Sequence, residues 1–234
     1  MEKLVNQDLF YVLRRLPKDV LMLLQEYKGR VFIAGGYIRA CVAGEKPRDI
    51  DLFCDDKVLA KELAYRLKNN DRLVETDFAY TICRRLSIQL IHRWVYDNPV
   101  QLVDEFDFTI VQAAIWHDKS STSWLSYCSK NFYSDLAAKR LVYTCPVRDE
   151  EPGGSIIRVL KYISKGYRIP LDSFGQVIAR LYVGVKEDEL PPRTEATRTE
   201  VLGTVLTALM FEVDPAADFE SQGFLKRFIG VTDK

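Results

Sequence analysis

Two stretches decide the fold: Arg30-Val31-Phe32-Ile33-Ala34-Gly35-Gly36-Tyr37-Ile38-Arg39 and, shortly after it, Arg48-Asp49-Ile50-Asp51-Leu52-Phe53-Cys54. Arg30 to Ala34 is a β-branched and aromatic run that stops at the glycine pair, and Tyr37 to Val42 continues with helical character up to Gly44. The reading is strand, glycine turn, helix. Arg48 to Cys54 alternates with the period of a strand, so Ile50, Leu52 and Cys54 share one face while Asp49, Asp51 and Phe53 share the other. Glycine lets backbone N–H groups approach a ligand closely at the start of a helix, which suits a phosphate. Arg39 stands close enough in sequence to add a charge-assisted bond to a phosphate oxygen. Alone, such a glycine pair also reads as an ordinary turn. Two carboxylates on one strand face repel unless a cation sits between them, and magnesium is the hard ion that keeps one or two protein carboxylates and takes its other ligands from phosphates and water. A solvated strand face is the alternative for an isolated D-x-D. Together the turn and the paired acids would hold a metal-bound triphosphate from both sides, which is most of what phosphoryl transfer requires.

The rest of the chain supplies the frame. Asp8 to Tyr27 has helical spacing split at Pro17. Lys57 to Lys68 is an amphipathic helix closed by Asn69-Asn70, and Leu73 to Asp77, Tyr80 to Arg84 and Ser87 to His92 read as strands. Asn98-Pro99 opens a helix that ends near Glu105, Phe106 to Trp116 is read as extended, and Trp124 to Cys128 pairs back as a hairpin. Phe132 to Arg140 is a short helix. Pro152-Gly153-Gly154 is the sharpest break, and helices are expected at Ser155 to Lys165, Phe174 to Val183, Glu195 to Phe211 and Ala216 to Phe228. The fold class is therefore α+β followed by a small all-helical region, with domains at 1–150 and 151–234.

Composition narrows the function classes. The 33 basic residues offset the 33 acidic ones, which removes the global positive field of a non-specific nucleic-acid coat. No stretch approaches the about 18 apolar residues of a spanning helix, and the first residues lack a signal peptide's apolar centre, so a cytoplasmic protein with no membrane partner is expected. Five cysteines without a C-x-x-C, and only His92 and His117 beside them, read as reduced, small apolar side chains. Both histidines read as structural or exposed, and Tyr37 either packs or stacks on a base. Arg84, Arg85, Arg93, Lys139 and Arg140 are either a small phosphate-tracking patch or surface charge. Asp107, among Phe106, Phe108 and Ile110, needs a partner or a ligand to remain ionised there.

These residues resemble the DNA polymerase beta-like nucleotidyltransferases. Gly35-Gly36-Tyr37-Ile38-Arg39 followed by Asp49-Ile50-Asp51-Leu52 is similar to their G-G-x-x-R…D-I-D signature, most of all in the head of class II CCA-adding enzymes and bacterial poly(A) polymerases. Asp107-Phe108-Thr109-Ile110 resembles the R-R-D-F-T-I segment, Asp135-Leu136 with Lys139 the D-L-x-x-K segment, and Ile156 to Tyr162 with Gly166-Tyr167 the neck helix. The resemblance implies a five-stranded mixed sheet, Asp49 and Asp51 as catalytic metal ligands for Mg²⁺ in a two-metal site, and Gly35, Gly36, Arg39, Asp107 and Arg158 as nucleotide-binding residues. It further implies an NTP substrate, ATP or CTP, and an RNA 3′ end as acceptor.

The chain also departs from this pattern. Glu105-Phe106 replaces the arginine pair, Ser155 stands where the neck's base-reading arginine would be, and Gln89 falls where many members place a third carboxylate. An amide cannot serve as an anionic ligand or general base. About 65 residues follow the neck, fewer than the body and tail that grip tRNA, so complete tRNA maturation is not expected. The alternatives are a nucleotide- or RNA-binding protein that keeps the fold without efficient turnover, and a minimal transferase that modifies a protein or small molecule.

Overall fold

The structure is a computed structural model and describes residues 2–147, 150–185 and 195–211. The chain divides into two compact units, Met1–Ala138 and Lys139–Lys234. In the first, helices α1 (Asn6–Arg15) and α2 (Lys18–Glu26) are separated at Pro17, whose fixed φ and missing N–H suit the start of α2. Strand β1 (Val31–Ala34), α3 (Gly36–Val42), β2 (Asp49–Cys54) and α4 (Lys57–Lys68) follow. The Asp56 carboxylate accepts from the Val58 N–H at 3.0 Å, which satisfies an orphan donor at the start of α4. Next come β3 (Arg72–Glu75), β4 (Ala79–Cys83), β5 (Ser87–Ile91), α5 (Pro99–Asp104), β6 (Ala113–His117), β7 (Trp124–Cys128) and α6 (Phe132–Ala137). Asn98 caps α5 through the Val100 N–H at 2.9 Å, with Pro99 in the first turn.

All seven strands form one sheet in the order β3-β4-β5-β2-β1-β6-β7, which corrects the expected five. The excess arises because the β3–β4 hairpin extends one side through β5 and the β6–β7 hairpin extends the other through β1. Only the β2–β5 pair is parallel, so the sheet is mixed. Ile33, Ile50, Leu52, Ile82, Ile88 and Leu90 are fully buried, and α3 and α4 pack on the strands that carry them. On β2 the opposite set, Phe53 with Phe32 and Ala34 of β1, forms a second cluster with Leu102 and Val103 of α5.

One expectation fails between α5 and β6. Thr109–Val111 is a 3₁₀ turn rather than extended chain, closed by Val111 N–H to Phe108 carbonyl at 3.0 Å and Gln112 N–H to Thr109 carbonyl at 3.2 Å. The hydrophobic run was right about burial, since Phe108 and Ile110 are inaccessible, but burial alone does not distinguish a strand from a buried turn.

The second unit contains α7 (Gly154–Ile163), α8 (Leu171–Val183) and α9 (Glu195–Phe211). The Pro152–Gly154 break lies inside it, at the head of α7. Ile156, Ile157, Val159 and Tyr162 are buried, and the Tyr143 N–H donates to Ser173 Oγ at 3.2 Å. The helix expected at 216–228 lies outside the described residues.

Arg84 is a strut. Its guanidinium donates to Asp71 at 2.5 Å, to Asp19 at 2.5 Å and to the Leu67 carbonyl, joining α2, the end of α4 and the β3–β4 hairpin. Arg84 is thus engaged within the fold rather than in a phosphate-tracking patch. Arg84→Ala should lower unfolding free energy by about 1–3 kcal/mol in urea titrations, and Arg84→Lys should not restore it, because one ammonium cannot reproduce a three-way planar fork.

Burial pushes the Cys54 thiol up to about 12, with Asp55 adding to the effect, and the Cys128 thiol up to about 11. Both folded values lie above the about 8.5 of an unfolded thiol, so their contribution is fully present below that pH and is lost as pH rises through 11–12. Urea midpoints measured from pH 8 upward should therefore fall steadily, and Cys54→Ala should flatten part of the decline.

Candidate active site

The site grows from the register of β2. Asp51 lies opposite Ala34 of β1 on one side and Gln89 of β5 on the other, and Asp49 lies opposite Ser87. Directly paired residues share a face of the sheet, so one row runs Thr81, Gln89, Asp51, Ala34, Ala114, Tyr127. Asp49 and Asp51 are half-buried while Ile50 and Leu52 between and beyond them are buried. Both carboxylates therefore stand on one face, as the alternation predicts.

Ala34 is the last residue of β1, so the Gly35–Gly36 turn leaves the sheet beside the strand that bears the acids. Gly35 has φ 78° and ψ −130°, a conformation that L side chains rarely adopt. Its N–H donates to the Ala113 carbonyl at 3.0 Å, so this donor holds β1 to β6. The donors the turn leaves free of sheet pairing are accordingly the N–H groups from Gly36 to Ile38, which open α3 and lack intrahelical acceptors. A Cβ at Gly36 would meet nothing within 4 Å, so the backbone is open there.

The remaining expected residues divide. Arg39 is 4% exposed and donates to Glu45 at 2.5 Å, so its charge is shared with that carboxylate. Tyr37 is fully buried in α3; it packs, and burial raises its phenol well above the ordinary range. Asp107, 2% exposed, sits at the bend between α5 and the 3₁₀ turn, directly after Phe106, whose ring lies against Gly35. Gln89 is 5% exposed and stands directly beside Asp51. Arg158 belongs to the second unit, where it pairs with the Glu150 carboxylate, and Arg180 binds the Glu150 carbonyl at 2.9 Å. Ser155 is buried on α7.

Three features escaped the sequence reading. Thr81 Oγ1, next to Gln89 in the row, is buried without a hydrogen-bond partner among the described residues. Phe106 touches the glycine turn. The Thr109 hydroxyl donates to the fully buried Asp135 at 2.6 Å, which ties the 3₁₀ turn to α6 and gives the D-F-T and D-L segments a common structural reason. No local signal marked this last pair, because the burial of Asp135 that demands a partner arises only in the fold.

The donor set fits a hard divalent cation. Two carboxylates stand at alternate positions of one strand, with the Ser87 hydroxyl and Gln89 amide in the adjoining positions. No group of three or more His, Cys, Asp or Glu placed to hold a metal occurs among the described residues. A site with only two protein carboxylates suits Mg²⁺, which completes its octahedron with phosphates and water.

Comparison with solved structures gives the class: the chain has a nucleotidyltransferase fold, related to the head and neck of the CCA-adding enzymes. The Thermotoga maritima CCA-adding enzyme complexed with tRNA matches at TM-score 0.56 and 19% identity over 100% of this chain and 58% of its own. A CCA-adding enzyme with CTP matches at TM-score 0.56 and 18% identity, over 84% of this chain and 54% of that one. The same type of enzyme with ATP matches at TM-score 0.55 and 19% identity, over 100% and 56%. The chain thus spans a little over half the length of these structures. Within that fold class, residues 3–139 match the Gabija anti-defense 2 family, and the chain belongs to it. No curated protein matches its sequence.

Thr109→Val removes the donor to Asp135 and leaves a buried carboxylate oxygen short of a bond. Equilibrium unfolding should show a loss of about 1–3 kcal/mol, with Thr109→Ser close to wild type.

Proposed function

We propose that this chain is a divalent-metal-dependent nucleotidyltransferase that moves NMP from an NTP to an acceptor hydroxyl. The observation that carries the reading is the pairing of Asp51 with Ala34, which sets the carboxylate strand beside the exit of the glycine turn. Asp49 and Asp51 hold Mg²⁺, which when bound neutralises the charge that develops on the transferring phosphoryl group. The open backbone from Gly36 onward seats the leaving pyrophosphate, with Arg39 sharing its charge between Glu45 and the phosphates. Asp107 places the ribose. The acceptor oxygen bonds to the α-phosphorus as the bond to the pyrophosphate oxygen breaks, and the hydroxyl proton goes to solvent or to the departing phosphate. Gln89 cannot take that proton; it orients the acceptor or a water by hydrogen bonds.

For the acceptor, an RNA 3′ end is the reading that the fold supports, because a fold relative is seen with tRNA. Family membership supports a second reading, in which the acceptor is a component of the Gabija defence machinery and its modification disables it. The test incubates the full chain with Mg²⁺ and each α-labelled NTP, once with total RNA and once with purified Gabija components. Label should enter one acceptor and fall at least about a hundredfold in Asp49→Ala/Asp51→Ala. Metal-dependent NTP binding with no label on either acceptor would instead favour a nucleotide-binding protein without turnover.

A further inference from the structure

We propose that Phe106 is a positioning residue of the nucleotide seat, holding the glycine turn at a set distance from the carboxylate strand; this rests on the nucleotidyltransferase reading above. Glycine has the largest conformational freedom of any residue, so a Gly-Gly turn keeps one shape only if its surroundings impose it. One restraint is the Gly35 N–H bond to Ala113. The second is steric. A Cβ built on Gly35 would lie 3.4 Å from Phe106 Cζ, with Cε1 at 3.7 Å and Cε2 at 3.9 Å, so the end of the ring fills the space beside the Gly35 Cα. Gly36 has open space instead. The turn is backed at one residue and open at the next.

The same ring meets Phe53 edge to face, with centroids 6.1 Å apart and planes at 74°. Phe53 is 4% exposed and follows Asp51 by two residues on the same face of β2. A single side chain therefore touches both halves of the site. Its own position is set from the backbone: the Phe106 N–H donates to the Val103 carbonyl at 3.2 Å, and its carbonyl accepts from Gln112 Nε2 at 3.2 Å. Gln112 is 6% exposed, so that bond is shielded from water. The resembling family carries arginine at this position. Phenylalanine brings no charge to a phosphate, only shape, and shape is what a glycine turn lacks.

The test uses the full chain as wild type, Phe106→Ala, Phe106→Leu and Gln112→Leu. Calorimetry measures binding of Mg·ATP and Mg·pyrophosphate, electron paramagnetic resonance measures Mn²⁺ binding without nucleotide, and circular dichroism follows folding. Phe106→Ala should weaken Mg·ATP and Mg·pyrophosphate alike by about tenfold, with Phe106→Leu within about threefold of wild type and Mn²⁺ binding unchanged. In the transfer assay the loss should fall on KM for NTP rather than on kcat. Wild-type nucleotide affinity in Phe106→Ala overturns the proposal, as does a loss of Mn²⁺ binding in proportion to nucleotide, which would indicate general core damage. If Phe106→Ala does not fold, Gln112→Leu reads the same link: a loss of about threefold with intact Mn²⁺ binding supports it, and wild-type affinity overturns it. A wild-type chain that binds neither Mn²⁺ nor nucleotide refutes the transferase reading itself.

Discussion

The register of β2 is the constraint on which the rest depends. The strand is central, flanked by β1 and β5, and it is asymmetric: Ile50, Leu52 and Cys54 need burial, whereas Asp49 and Asp51 need solvent or a cation. A slip of one residue would drive both carboxylates into the apolar layer and expose the aliphatic set, so the pairing is strongly specified. Once it is set, both flanks of the carboxylate strand follow. Ala34 must end β1 beside Asp51, the glycine turn must leave there, and Gln89 must stand on the other flank.

The parts that surround this strand are held by bonds across long sequence separations. Arg84 joins α2 to the β3–β4 hairpin, and Thr109 with Asp135 joins the 3₁₀ turn to α6. The N-terminal residues close the far side of the sheet: Cys128 N–H donates to the Glu2 carbonyl at 3.1 Å, which covers part of the β7 edge. Exposed edges invite pairing with other chains, and a short covering segment with a charged side chain is one way to blunt them. These ties all lie within Met1–Ala138, almost the same span as the family match at 3–139. The family match therefore covers nearly all of the first unit, the sheet together with its supports.

Much of this was legible in the chain. The alternation of β2, the helix at Lys57 to Lys68 and the Asn98-Pro99 start depend on local rules, and local rules are written in neighbouring residues. Pairing Gly35–Gly36 with Asp49 and Asp51 was also legible, because few residue types serve that chemistry. The sheet's seven strands were visible one by one, but their union was not, since pairing order is set by long-range contacts. Phe106 to Val111 failed for a related reason: the turn there is tied by the side-chain bond from Thr109 to Asp135, and the two residues are 26 apart in sequence. Phe106 itself read as a missing arginine. Its contact with Gly35 belongs to tertiary structure and has no sequence signature.

Charge sets a further limit on how an acceptor is recognised. The chain has no net charge, and several arginines are spent internally: Arg30 on Asp55, Arg39 on Glu45, Arg66 on Glu26, Arg84 on Asp19 and Asp71, and Arg158 on Glu150. Each pair cancels most of the long-range field its arginine would otherwise project, and salt screens the remainder within about 8–10 Å. Tracking a polyanion by counterion release needs many unspent cations in a line. On the proposed reading, the neutral side chains of Ser87 and Gln89 next to the carboxylates, with Thr81 beyond Gln89, would then hold an acceptor by close-range hydrogen bonds.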